Sequence, residues 1–125
     1  MRILFLGDIV GPSGCKVVQK FLPRLIKQEK LDFVIANGEN AADSGVGITE
    51  KISNELFQCG VNVITTGNHV WDQKETVEHI EKEKKLLRPY NLIAPAPGAG
   101  FEIFQNNNNF KIGVLNLMGN VFMKK

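Results

Sequence analysis

The chain has 125 residues, 43% of them apolar and 22% charged, which is the make-up of one globular domain and excludes a disordered tail or a collagen-like chain. Fifteen basic against thirteen acidic residues leave a formal charge of +2, too small an excess to imply binding to a nucleic-acid backbone. Cys15 and Cys59 form neither a disulfide framework nor a C-x-x-C knuckle, so reduced thiols in the cytoplasm are expected. No apolar run approaches the roughly 18 residues of a membrane helix, and no membrane partner is expected.

Ile3-Leu4-Phe5-Leu6 is a continuous apolar run and reads as a parallel strand buried on both faces. After a turn-rich stretch from Gly7 to Gly14, the residues Val17, Val18, Phe21, Leu22, Leu25 and Ile26 recur at helical spacing, with Pro23 expected to kink the helix. Phe33 to Ala36 reads as a second strand. Thr49 to Gln58 reads as a helix with Ile52, Leu56 and Phe57 inward and Gly60 as its stop. Val61 to Thr66 gives a third strand, and Asp72-Gln73-Lys74-Glu75 has the form of a capping box opening a helix to about Lys84. His79 then falls on a solvated helix face, and Trp71 either packs the loop, the favoured reading, or stacks on a base. A short strand is expected near Leu92 to Ala94. A hairpin follows, with Phe101 to Gln105 and Phe110 to Leu117 flanking the turn-forming Asn106 to Asn109.

The three strands end alike, in Leu6-Gly7-Asp8, Asn37-Gly38-Glu39 and Thr66-Gly67-Asn68. Asp8, Glu39 and Asn68 are 31 and 29 positions apart, about one βαβ unit each, so they reach one edge of one parallel sheet. Gly followed by Asp, Glu or Asn is ordinary turn chemistry when it occurs once. Three in phase point to a shared cation, because gathered carboxylates repel unless one compensates them. Asn40 adds an amide that can bind metal or substrate. His69, next to Asn68, stands where it can protonate a departing oxygen. The Gly7 to Gly14 stretch has neither Rossmann nor P-loop spacing, although the helix start behind it can attract anions.

The order Gly-Asp, Gly-Glu-Asn, Gly-Asn-His resembles the calcineurin-like metallophosphoesterases. The segments Leu6-Gly7-Asp8-Ile9-Val10-Gly11, Asn37-Gly38-Glu39-Asn40-Ala41-Ala42 and Thr66-Gly67-Asn68-His69-Val70-Trp71-Asp72 are similar to the YmdB family of bacterial cytoplasmic phosphodiesterases. That resemblance implies an α/β metallophosphoesterase fold of sheets flanked by helices, truncated to its first half, with residues 1–125 forming a single partial domain. It implies two divalent metal ions, iron or manganese, with Asp8, Glu39, Asn40 and Asn68 as metal residues and His69 as general acid. It further implies a small phosphodiester substrate such as a cyclic nucleotide, hydrolysed by metal-activated hydroxide. The family's remaining ligands are histidines of a carboxyl-terminal half, and no histidine follows His79. The oxygen donors present would suit magnesium or manganese. Two further expectations follow: the inner face of the first sheet is exposed, and a homo-oligomer or a complementing carboxyl-terminal half covers it. The alternative reading is a catalytically inactive remnant or binding module.

Overall fold

The computed structural model describes residues 1–92, 95–121 and 123. Strands β1 (Ile3–Leu6), β2 (Phe33–Asn37) and β3 (Val63–Thr65) pair in parallel in the order β1-β2-β3. The register sets Ile3 beside Phe33, Phe5 beside Ile35 and Leu6 beside Ala36, with Ile35 and Ala36 beside Val63 and Ile64. Because side chains alternate along a strand, Leu4, Leu6, Val34, Ala36 and Ile64 share one face. Ile3, Phe5, Phe33, Ile35 and Val63 share the other.

The first face carries the helices α1 (Gly11–Glu29), α2 (Glu50–Gln58) and α3 (Thr76–Lys82). Leu22, Ile52, Leu56 and Ile80 pack there with Val34, Ala36 and Ile64 in one apolar cluster. Helix α1 has a proline in its first turn, where a missing N–H costs nothing, and it continues through Pro23. Its expected apolar stripe is only half used. Leu22 is 2% exposed, whereas Val17 and Phe21 are 58% and 54% exposed, since they lie on the flank of α1 where no described element packs. Helix α2 opens as expected, with Thr49 accepting the Ile52 N–H at 3.2 Å.

The second face is covered by a hairpin of β4 (Phe101–Gln105) and β5 (Lys111–Leu115), which pair antiparallel. Ile112 and Val114, with Phe104 beside them, pack on Phe33, Val63 and Leu87. The asparagine loop closes the hairpin as expected: Asn109 takes a left-handed φ of 63°, and Asn106 Oδ1 accepts the N–H groups of Asn108 and Phe110. Beyond β3, Leu86 forms a parallel bridge to Ile64, and the Leu87 N–H donates to the Ile64 carbonyl at 2.8 Å.

Two expectations about faces are thereby corrected. The sheet's inner face is not bare, because the hairpin lies over β2 and β3. Strand β1 is not buried on both faces, because the hairpin stops short of it and leaves Ile3 46% and Phe5 61% exposed. The third helix also differs. It begins at Thr76 after a residue that makes no side-chain cap, so Asp72 does not open it. Turns, with the Thr76 N–H on Gln73 O and the Val77 N–H on Lys74 O, occupy the first residues of the stretch where the helix was expected. His79 is 9% exposed rather than solvated, since α3 turns it with Ile80 against α2. There its Nε2 lies 3.0 Å from Ser53 Oγ. Of the strand expected near Leu92 to Ala94, residues Ile93 and Ala94 lie outside the described residues.

Candidate functional site

The three glycine-led turns leave the same edge of the sheet, because parallel strands deliver their carboxyl ends together. The chain after β1 is held to the chain after β2. The Ile9 N–H donates to Asn37 O at 3.0 Å, the Gly11 N–H donates to Asn40 O at 2.9 Å, and Val10 and Asn40 form a parallel bridge. This extension of the pairing brings Asn40 Nδ2 to 3.0 Å and 3.2 Å from the two Asp8 carboxylate oxygens, to which it donates.

The chain after β2 is held in turn to the chain after β3. The Gly38 N–H donates to Thr65 O at 2.9 Å, and Glu39 Oε1 accepts the His69 N–H at 3.3 Å. The Glu39 carboxylate lies directly over Gly67, in the space that any side chain at position 67 would take. A side chain at position 67 would therefore displace the Glu39 carboxylate from where it lies, and the backbone angles are not what favours glycine there. Glu39 and Asn68 line one open cleft of about 470 Å³ with Asn37, Thr65, Phe5 and Leu117. Asp8 lines a neighbouring, largely apolar depression with Val10, Gly14 and Val17, and joins the others through Asn40.

His69 is oriented by a partner that spacing alone did not assign. Its Nδ1 lies 2.7 Å from Asp72 Oδ2, with the two side chains 37% and 40% exposed. Asp72 is thus an imidazole partner, not a helix cap. The signal was available as an acid three residues beyond the histidine, but it also fits a capping box. Beneath this pair lies Gly47, with φ of 76°, and a Cβ there would press on Gln73, His69 O and Asp72. Gln73 Nε2 donates to Ser44 Oγ at 3.2 Å and to Val46 O at 3.0 Å, stitching the loop after β2 to the loop after β3. Trp71 packs against the helix-side core, as expected for a loop anchor.

Asn116 was not singled out by sequence reasoning. It is 6% exposed, and its Nδ2 donates to Thr66 O at 3.0 Å and to Leu87 O at 3.2 Å, fixing the hairpin to the end of β3 beside the cleft. The period-two series Ile112, Val114, Asn116 was its signal, since it places an amide on the buried face.

The donors suit a divalent cation in kind. Two carboxylates and two amide side chains offer hard oxygens, and Glu39 is seated by the missing side chain of Gly67. Among the described residues, no three His, Cys, Asp or Glu side chains gather as metal ligands. No helix among the described residues is long and apolar enough to cross a membrane.

Known proteins are similar to this chain in sequence and in fold. A 2',3'-cyclic-nucleotide 2'-phosphodiesterase of Bacillus subtilis (strain 168) is 44% identical over 123 residues, which are 98% of this chain and 46% of that protein. The crystal structure of a hypothetical protein from Thermus thermophilus matches with a TM-score of 0.90 and 34% identity, over 100% of this chain and 48% of that one. A crystal structure described as a novel phosphatase from Mycoplasma pneumoniae matches with a TM-score of 0.84 and 37% identity, over 94% of this chain and 42% of that one. The chain spans about half the length of the relatives it matches. Its α/β architecture is that of a metallophosphoesterase-type phosphatase. The family model for YmdB-like proteins matches residues 4–125, and the chain belongs to that family.

Proposed function

We propose that this chain carries the strand-end side of a divalent-metal-dependent phosphodiesterase site acting on a small phosphodiester such as a cyclic nucleotide. One observation carries the reading: consecutive strand ends are linked through their oxygen-bearing residues, Asp8 to Asn40 and Glu39 to the His69 amide. Asp8, Glu39 and Asn68 would hold the ions, and Asn40 fixes the Asp8 carboxylate. Their hard oxygens suit manganese or magnesium, and iron is an expectation from the resemblance. When bound, divalent ions supply Lewis acidity that offsets charge on phosphoryl oxygens and activates water.

The proton chemistry belongs to His69. Asp72 accepts its Nδ1–H and fixes the ring, which leaves Nε2 as the atom that holds a proton and gives it to the departing oxygen. The substrate class rests on the Bacillus subtilis relative, which is named for 2',3'-cyclic nucleotides. The free thiols Cys15 and Cys59 accord with a cytoplasmic setting.

The test is release of nitrophenol from bis(4-nitrophenyl) phosphate, and opening of a 2',3'-cyclic nucleotide, with and without Mn²⁺. His69→Ala is expected to slow turnover roughly 10²–10⁴-fold while elemental analysis shows the metal retained. Glu39→Ala is expected to lose metal. Unchanged turnover in His69→Ala removes that residue's role. A second reading is a cation-binding module without turnover. Metal retention with no release by the chain alone selects it.

A further inference from the structure

The His69–Asp72 pair is open to water on both sides of the contact, since its side chains are more than a third exposed. A polar contact between such side chains is weak by itself and exchanges readily for hydration. A separation of 2.7 Å in this setting needs a backbone that holds both partners still. Toward the core the turn is anchored by Val70, fully buried, and by Trp71. Directly after Asp72 it is anchored by Gln73. The Gln73 Nε2 donates to Ser44 Oγ and to Val46 O, so both of its amide protons are engaged. Ser44 Oγ is free to accept because its own hydroxyl proton goes to Val46 O at 3.2 Å. The loop that receives these bonds is closed on itself, with the Ala42 N–H on Gly47 O at 2.9 Å and the Gly45 N–H on Ala42 O at 2.8 Å. It runs so near the turn that a Cβ at Gly47 would meet Gln73, the His69 carbonyl and Asp72. The same loop follows Asn40, whose amide holds Asp8.

We propose that Gln73 is a positioning residue for His69: by tying the turn to the Ala42–Gly47 loop, it keeps Asp72 where its carboxylate accepts the imidazole Nδ1–H. Gln73 bonds to Ser44 and Val46 and not to the imidazole, so its influence on His69 passes through Asp72. The effect on turnover rests on the phosphodiesterase reading, whereas the effect on the ring does not. A plainer role, glue between two loops, predicts something different. It would cost stability when lost and leave the protonation of the ring nitrogens as it was.

The test uses Gln73→Glu, which keeps the shape of the side chain but removes both donated bonds, and Gln73→Lys, which restores a donor for Val46 O. Nitrogen NMR of the His69 ring in the metal-free chain is expected to show the Nδ1–H form losing ground to the Nε2–H form in Gln73→Glu and not in Gln73→Lys. With Mn²⁺ and bis(4-nitrophenyl) phosphate, Gln73→Glu is expected to lower kcat about tenfold and to leave KM within about twofold. Because both changes act on one contact, the double variant Asp72→Asn/Gln73→Glu is expected to turn over about as fast as Asp72→Asn alone. Four results would overturn the proposal: an unchanged ring equilibrium in Gln73→Glu, a lowered urea midpoint as the sole effect, a Lys variant as impaired as the Glu variant, or losses that multiply in the double variant. A parent chain without Mn²⁺-dependent turnover would remove the phosphodiesterase reading, and the ring spectra would then decide by themselves whether Gln73 orients His69.

Discussion

Asp72 is the residue whose replacement separates orientation from packing. Asp72→Asn keeps the shape but offers the His69 Nδ1 an amide in place of a carboxylate. In the metal-loaded protein it is expected to lower kcat about tenfold to a hundredfold with little change in KM. Nitrogen NMR of the His69 ring, read in the protein without metal, should show the Nδ1–H form less favoured. At Gly67 the expected loss is of another kind. In Gly67→Ala the new methyl group takes the place of the Glu39 carboxylate. Because that carboxylate is the end of a flexible side chain that can swing aside, urea denaturation should show a cost of about 1 kcal/mol or less, while titration calorimetry should show weaker Mn²⁺ binding. Cys15 gives a pH signature. Burial, with smaller contributions from Glu55, Asp43 and Cys59, raises its thiol above the ordinary 9.0. The unfolded chain therefore releases this proton first as pH rises. The associated stability is whole below pH 9.0 and is lost as pH climbs through the folded-state value. The fall in urea midpoint above that pH should be shallower in Cys15→Ala than in the parent.

Elements position these residues through a few polar side chains that bridge them. Asn116 ties β5 to the carbonyls that follow β3, and Thr76 Oγ1 ties the start of α3 to Ile48 O. Both are buried, so losing a donor leaves a carbonyl short of a partner. Asn116→Ala is expected to cost about 2–3 kcal/mol in urea denaturation. The strands and the first two helices were legible in the sequence, since alternation along Ile112–Val114 and the spacing of Ile52 and Leu56 are local patterns that burial follows. The start of the third helix was not. Asp72 satisfies a capping box as well as it satisfies an imidazole, and only the position of His69 decides between them.

At the scale of the molecule, the apolar residues are divided between two clusters on opposite faces of a narrow sheet, and that division leaves β1 at an open margin. A ligand that binds the folded chain raises its melting temperature by mass action. Addition of Mn²⁺ should therefore raise the melting temperature of the parent and leave that of Glu39→Gln unchanged, as read by differential scanning calorimetry. A shift of equal size in the two proteins would remove Glu39 from the set of metal residues.

The amino-acid order alone determined the βα rhythm, the hairpin and the arrival of Asp8, Glu39 and Asn68 at one sheet edge, because each follows from periodicity and turn chemistry within about thirty residues. Tertiary structure decided the rest. It paired Asp72 with His69, turned His79 onto Ser53, set Asn116 under the cleft and left Phe5 outside the hairpin's cover. Those outcomes depend on which surfaces meet across the chain, and a polar or apolar side chain carries no local mark of the neighbour that packing will bring to it.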